Sequence, residues 1–211
     1  LNNINDYFKD SELKIIDVNL KFNDPFKVKK KFASPFVKNS LNLGHKLALK
    51  KDVQGIINCA VDKSLLNKNT GVTEFLASKC NVKNNSEVML IKNEKLAVCP
   101  ITTHINIKQV AQSLSIFKIT NKILTINKWF RQTYNKKPKI GILGLNPHNA
   151  ELRNNSEEKK IIMPAILKLK KKGISVKGPL VADTIFINDY KKYDIIVGMF
   201  HDQVLIPFKT L

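Results

Sequence analysis

Arginine is almost missing from this sequence. Arg131 and Arg153 are the only two in 211 residues, although Lys and Arg together number 36 against 17 Asp and Glu. The net charge of +19 therefore rests on lysine. Proteins that grip phosphate backbones lean on arginine for its planar, bidentate fork, so the charge is poor evidence for nucleic acid, and no such partner is expected. The lysines are scattered among 23 Asn and abundant Ile, residues whose codons are all AT-rich, so nucleotide bias is the simpler account. The densest runs, Lys29–Lys31 and Lys168–Lys172, flank or end regular elements and read as solvated faces.

Cysteine is scarce too. Cys59, Cys80 and Cys99 are odd in number and lack Cys-x-x-Cys spacing, which argues against a disulfide framework or a zinc knuckle. Cys59 and Cys99 sit in apolar runs, where a thiol acts as a small hydrophobe, and a reducing cytoplasm is the expected compartment. No apolar run reaches the length of a membrane span, so no membrane partner is expected. The opening Leu1–Asp6 has neither a basic nor an apolar signal region. Without a Met at position 1, the natural chain is expected to begin earlier. No Gly-x-Gly-x-x-Gly, Walker-type loop or Gly-x-Ser-x-Gly elbow occurs, so a standard Rossmann, P-loop or hydrolase site is not supported.

What is present is an alternation of strands and helices. Residues 1–42 are irregular, with a weak strand pattern over Leu13–Leu20 and turn signals at Asn23-Asp24-Pro25 and Ser34-Pro35. A helix is expected over 40–52, a short buried strand over Gln54–Ala60, and a short helix over Thr73–Cys80. Glu87–Ile91 and Lys95–Ile101 suggest a hairpin. Residues 107–114 and 119–134 read as helices, the second with Ile119, Ile123, Ile126 and Phe130 on one stripe. Lys139–Leu143 and Asp194–Met199 are clear strands. Between them a helix follows the N-cap candidate Ser156, with Glu157 and Glu158 as favourable charges in its first turn, carries Pro164 inside it and ends at Gly173. This order predicts an α/β fold with a mostly parallel sheet.

Three of the four histidines lie just past a strand: His104 in Thr102-Thr103-His104, His148 in Gly144-Leu145-Asn146-Pro147-His148, and His201 in His201-Asp202-Gln203. Open α/β sheets bind ligands beyond the carboxyl ends of their strands. Three imidazoles with open positions describe a catalytic divalent metal better than a closed structural one. The plainer alternative is three unrelated surface or core histidines. Asp202 is a candidate base or support for His201, or else a solvated loop carboxylate. Asp183, in Gly178-Pro179-Leu180-Val181-Ala182-Asp183-Thr184, joins this group from a polar loop start between apolar pieces, or else is a helix N-cap or Asx-turn. Lys63 and the Gly71-Val72-Thr73-Glu74 helix start offer a phosphate cradle, or an ordinary cap. Lys209 stands near the third histidine and by itself means little.

Taken together and in order, Thr-Thr-His (102–104), Gly-Leu-Asn-Pro-His (144–148), Gly-Pro-Leu-x-Ala-Asp-Thr (178–184) and His-Asp-Gln (201–203) resemble the motifs of the 4-hydroxythreonine-4-phosphate dehydrogenase family, PdxA. The resemblance spans roughly residues 40–211, and 1–39 match only loosely. It implies an isocitrate/isopropylmalate-dehydrogenase-like layered α/β fold and a homodimer. It also implies NAD and a divalent metal (zinc, magnesium or cobalt), and oxidation with decarboxylation of 4-phosphooxy-L-threonine in pyridoxal phosphate synthesis. The metal-binding histidines fall on His104, His148 and His201, with His201 reaching the metal of the partner subunit. The active-site aspartates fall on Asp183 and Asp202, a substrate-contacting lysine on Lys209, and a phosphate-contacting threonine on Thr73.

Departures qualify the substrate. Where the family has His before Thr this chain has Val72, and the family's His-Lys pair reads Asp62-Lys63. The N-terminal opening and the segment beyond Lys209, with its nucleotide-holding glycines, have no counterpart, so an incomplete and inactive piece of a longer enzyme is expected. Two other readings stay open: a related dehydrogenase acting on another phosphorylated hydroxy acid, such as a four-carbon aldonate phosphate, and a non-catalytic basic binding protein.

Overall fold

The three central strands of this chain are apolar and buried at every position because both faces of their sheet are covered. In the computed structural model, which describes residues 15–66, 71–80 and 86–211, the chain divides into two units, 1–82 and 83–211.

The second unit holds the sheet. Its elements run β1 (Ile91–Lys92), β2 (Ala97–Pro100), α3 (Ile107–Ser113), α4 (Ile116–Tyr134), β3 (Ile140–Leu143), α5 (Met163–Lys171), β4 (Val176–Leu180), α6 (Ala182–Ile185), β5 (Ile195–Gly198) and α7 (His201–Thr210). The order across the sheet is β1-β2-β5-β3-β4, with β1 antiparallel and all other pairs parallel. Alternate residues of a strand point to opposite faces. Ala97, Cys99, Ile140, Ile142, Ile195 and Val197 enter one core with the α4 stripe Ile119, Ile123, Ile126 and Phe130 and with Ile162, Ile166 and Leu169. Val98, Leu143 and Ile196 enter a second core with Tyr190, Val204 and Leu205. Burial on both faces is the normal state of parallel strands.

Local signals set the boundaries. Asn93 Oδ1 accepts from the N–H groups of Lys95 and Leu96, both at 2.8 Å, and closes the hairpin. Ser115 caps α4 by accepting from Lys118 N–H at 3.1 Å. Ser156 accepts from Lys159 N–H at 3.3 Å, as expected of a cap. The proline in that helix is absorbed by one π turn, Glu158–Ile162, before α5 begins. Asp194 joins the starts of β3 and β5 by accepting from Lys139 N–H at 2.7 Å and pairing with Lys136 at 2.8 Å. These bonds hold its carboxyl below the ordinary range, although burial alone would raise it.

The first unit contains α1 (Lys30–Leu49), a 3-10 turn (Lys63–Leu65) and α2 (Val72–Lys79) around buried Leu41, Leu66 and Phe75. The Asn23-Asp24-Pro25 turn forms, with Phe26 N–H donating to Asp24 Oδ1 at 2.9 Å.

Four expectations are corrected. Helix α1 starts well before residue 40 and carries Ser34-Pro35 inside it; Ser34 Oγ donates to the Leu65 carbonyl at 2.7 Å rather than closing a turn. Residues 15–20 are not a strand, and Leu13 and Lys14 lie outside the described residues. Gln54–Ala60 is neither strand nor buried: Ile57 is 103% exposed, and an apolar run becomes a strand only where a neighbour takes its backbone hydrogen bonds. Conversely, Val176–Leu180, whose second half belongs to a stretch expected to open a polar loop, is a strand. It lies at the sheet edge, where proline's missing N–H is tolerated.

Candidate metal centre

Strands β2, β5 and β3 lie side by side and parallel, so the three histidine-bearing segments leave the sheet at one edge. Each segment is tied down by polar contacts. Beyond β2, Ile101 N–H donates to the Gly198 carbonyl at 2.8 Å. Thr102 then donates twice to the Met199 carbonyl, from its N–H at 3.1 Å and its Oγ1 at 2.8 Å. The first Thr of Thr-Thr-His thus fastens its loop to the end of β5. The result is that the rings of His104 and His201 stand 5.5 Å apart between centroids, inclined at 43°.

His201 is the first residue of α7, and its Nδ1 lies 2.7 Å from Asp202 Oδ1. A carboxylate only accepts, so in a neutral imidazole this contact favours the proton on Nδ1 and leaves Nε2 as the acceptor. That is the usual arrangement of an imidazole prepared for a metal. The His201 side chain is half-buried and Asp202 is exposed.

His148 sits differently. It begins a left-handed turn, His148–Leu152, in which φ runs from 49° to 56°, and its side chain is exposed. Left-handed backbone costs an L-residue about 1–2 kcal/mol, and tertiary contacts hold this turn. Asn149 is buried, and its Nδ2 donates to the Pro179 carbonyl at 3.1 Å, while its Oδ1 has no protein partner. Among the described residues, no group of three or more His, Cys, Asp and Glu side chains is gathered tightly enough to hold a metal ion. The structure therefore pairs His104 with His201 within one chain and keeps His148 on its own turn. The adjacency of β2 and β5 brings the two rings together.

Asp183 is exposed in the first turn of α6, and Lys209 is exposed in the last turn of α7. The phosphate candidates belong to the first unit. Lys63 opens the 3-10 turn, and its Cε lies 4.0 Å from where a Cβ on Gly71 would be, so Lys63 reaches the start of α2, where Thr73 is exposed. Asp62 does not confront a ligand: its carboxylate caps the turn by accepting from Ser64 N–H at 2.8 Å, a bond that lowers its pKa. Val72 packs against the Leu41–Leu66–Phe75 core.

Two side chains escaped the sequence reading. Glu158 is fully buried and accepts from the N–H groups of Leu145 and Asn146, both at 2.8 Å, and from Asn146 Nδ2 at 3.0 Å. Burial pushes its pKa up, but these donors outweigh burial and leave it below the ordinary value. Gln203 accepts from Met199 N–H at 2.7 Å and donates to the Gly144 carbonyl at 2.7 Å. Gln203 was visible in the His-Asp-Gln motif; Glu158 was read only as a favourable charge in a first helical turn.

The motifs and their placement can be set against known proteins. The family model described as "Pyridoxal phosphate biosynthetic protein PdxA" matches residues 2–211. The chain belongs to the PdxA family. Among curated relatives, a 4-hydroxythreonine-4-phosphate dehydrogenase of Sulfurihydrogenibium sp. is 36% identical over 100% of this chain and 66% of its own length. A D-threonate 4-phosphate dehydrogenase of Salmonella typhimurium is 34% identical over 78% of this chain and 52% of its own. The crystal structure of 4-hydroxythreonine-4-phosphate dehydrogenase from Klebsiella pneumoniae superposes with a TM-score of 0.80 and 31% identity, covering 88% of this chain and 58% of that one. The chain thus spans about half to two thirds of the length of the PdxA relatives it matches.

Proposed function

We propose that this chain is part of an NAD-dependent, divalent-metal-dependent dehydrogenase. Its substrate is 4-phosphooxy-L-threonine, which is oxidised at its hydroxyl and loses CO2 to give 3-amino-2-oxopropyl phosphate for pyridoxal phosphate synthesis. The observation that carries the reading is the His104–His201 pair at the carboxyl edge of the sheet, with Asp202 on His201 Nδ1. The donor set suits zinc or cobalt, which take imidazole readily, better than magnesium, which prefers oxygen.

His104, His148 and His201 would hold the metal, in a homodimer whose site is shared across subunits. When bound, a divalent metal would supply Lewis-acid polarisation of the substrate oxygen, and NAD would supply the hydride acceptor. The protein's own part is positional and protonic. Asp202 fixes the His201 tautomer, and Asp183 is the exposed carboxylate available to take the hydroxyl proton. Lys209 would meet the substrate's carboxylate by charge, and Lys63 and the Thr73 helix start are, within the first unit, the candidates for a phosphate.

A second reading is favoured by Val72, which packs inward where the family offers an imidazole, and by the D-threonate 4-phosphate dehydrogenase relative. The two are separated by assaying NAD reduction by the full-length protein with each substrate. Turnover of 4-phosphooxy-L-threonine is expected. Turnover of D-threonate 4-phosphate alone would replace the first reading with the second, and turnover of neither would remove both.

A further inference from the structure

We infer that Gln203 is a positioning residue that couples the His148 segment to the His104–His201 pair, with Glu158 stiffening the His148 side. This inference rests on the proposed metal site for its purpose, but not for its geometry.

The two backbone polar groups of Met199 anchor the coupling. The Met199 carbonyl accepts both donors of Thr102, which carries the His104 loop. The Met199 N–H is taken by Gln203 Oε1, and the Nε2 of the same amide donates to the Gly144 carbonyl at the end of β3. Met199 is thereby the hub of all three histidine segments, and Gln203 is the side-chain link between β5 and the Gly144–His148 loop. The amide is used as a matched pair. Only a group with one acceptor and one donor at this spacing satisfies an N–H on one strand and a C=O on the next. Glycine at both anchor points keeps the link short. A Cβ on Gly198 would come within 2.9 Å of Gln203 Oε1 and 2.5 Å of Val204 Cγ1, and one on Gly144 within 2.0 Å of Asn149 Oδ1. On the far side of Gly144, Glu158 holds the next two peptide N–H groups. The loop is therefore clamped from both directions just before the left-handed turn that presents His148.

The prediction is specific to relative placement. Gln203→Met keeps the volume and removes both hydrogen bonds. Gln203→Glu keeps the acceptor for Met199 but sets a carboxylate against the Gly144 carbonyl. The imidazole ¹H–¹⁵N signals of the full-length protein, assigned with single His→Gln variants, report the loops without any metal. Cobalt absorption titration reports the site. For Q203M we expect a shift of the His148 signals relative to His104 and His201 and a tenfold or greater loss of cobalt affinity, with helical circular dichroism unchanged. Q203E should show the same shift, and Q132M, at an exposed distant position, no change. Should Q203M fail to fold, E158Q supplies the test, since its amide still accepts from the two N–H groups but opposes Asn146 Nδ2. A smaller shift confined to His148 is then expected. Unchanged imidazole signals in the folded variants would overturn the inference. Absence of cobalt binding by the wild-type chain, with the shift present, would overturn the metal reading and leave the coupling standing.

Discussion

The two units bury their apolar side chains in different ways. Residues 83–211 sandwich a sheet between two cores, and Ile119, Ile123, Ile142, Ile195, Ile196 and Val197 are wholly inaccessible. The described part of residues 1–82 centres on three buried residues, Leu41, Leu66 and Phe75, and leaves Ile57 and Phe26 to solvent. Apolar content is similar in kind; what differs is whether backbone partners exist for the apolar runs. Where β2, β3 and β5 pair, their loops are also tied to one another, and chemistry can be held in place. The first unit has a helix start with a lysine beside it, and fewer constraints on either.

Thiol chemistry should show the contrast most strongly. Cys59 and Cys80 are exposed in the first unit, whereas Cys99 is wholly buried and its thiol is pushed up to about 12. At pH 8 its thiolate fraction is about one in ten thousand, and the thiolate is the reactive form. Native-state alkylation read by mass spectrometry should label two sites, with Cys99 at least a thousandfold slower until denaturant is added. Equal labelling of all three would erase the distinction.

Core truncation comes next. Ile196→Ala should cost about 3–4 kcal/mol and Leu41→Ala about 2 kcal/mol, because a dense two-sided core relaxes less around a cavity. Urea unfolding followed by circular dichroism measures both, and a larger loss for Leu41→Ala would reverse the comparison.

Glu158 adds a pH signature. Its native pKa is depressed, so its stabilisation is complete above the ordinary glutamate value of about 4.3 and is lost as pH falls through the lower native value. Glu158→Ala should cost about 2–3 kcal/mol at pH 7, leaving buried N–H groups unpaired, and should flatten the acid limb of the stability curve. An unchanged acid limb would mean that Glu158 carries no native charge. The smallest effect belongs to the strained turn. Glu151, exposed with φ near 51°, should tolerate glycine with a gain of about 1 kcal/mol. A loss in thermal melting would show that the turn is not left-handed in solution.

These features were legible in the sequence to different degrees. The α4 stripe, β3, β5 and the hairpin declared themselves because periodicity and capping are local. β4 hid behind Gly178-Pro179, since a proline at a sheet edge looks like a proline in a loop until the strand order is known. Gln54–Ala60 misled because an apolar run does not reveal whether a neighbour pairs with it. The histidines were visible as strand-end residues. That His104 meets His201 depends on β2 lying beside β5, a pairing across nearly a hundred residues. The left-handed turn under His148 has no glycine to announce it, and Glu158 looked like helix-start charge because its acceptors' partners lie across the loop.

The central claim is that His104 and His201 form the nucleus of a divalent-metal site. Cobalt titration of the wild-type chain, His104→Gln and His201→Gln, followed by visible absorption, tests it most directly. Saturable binding by the wild type and at least a hundredfold weaker binding by each variant, with folding retained, are expected. Wild-type binding that neither substitution weakens would contradict it.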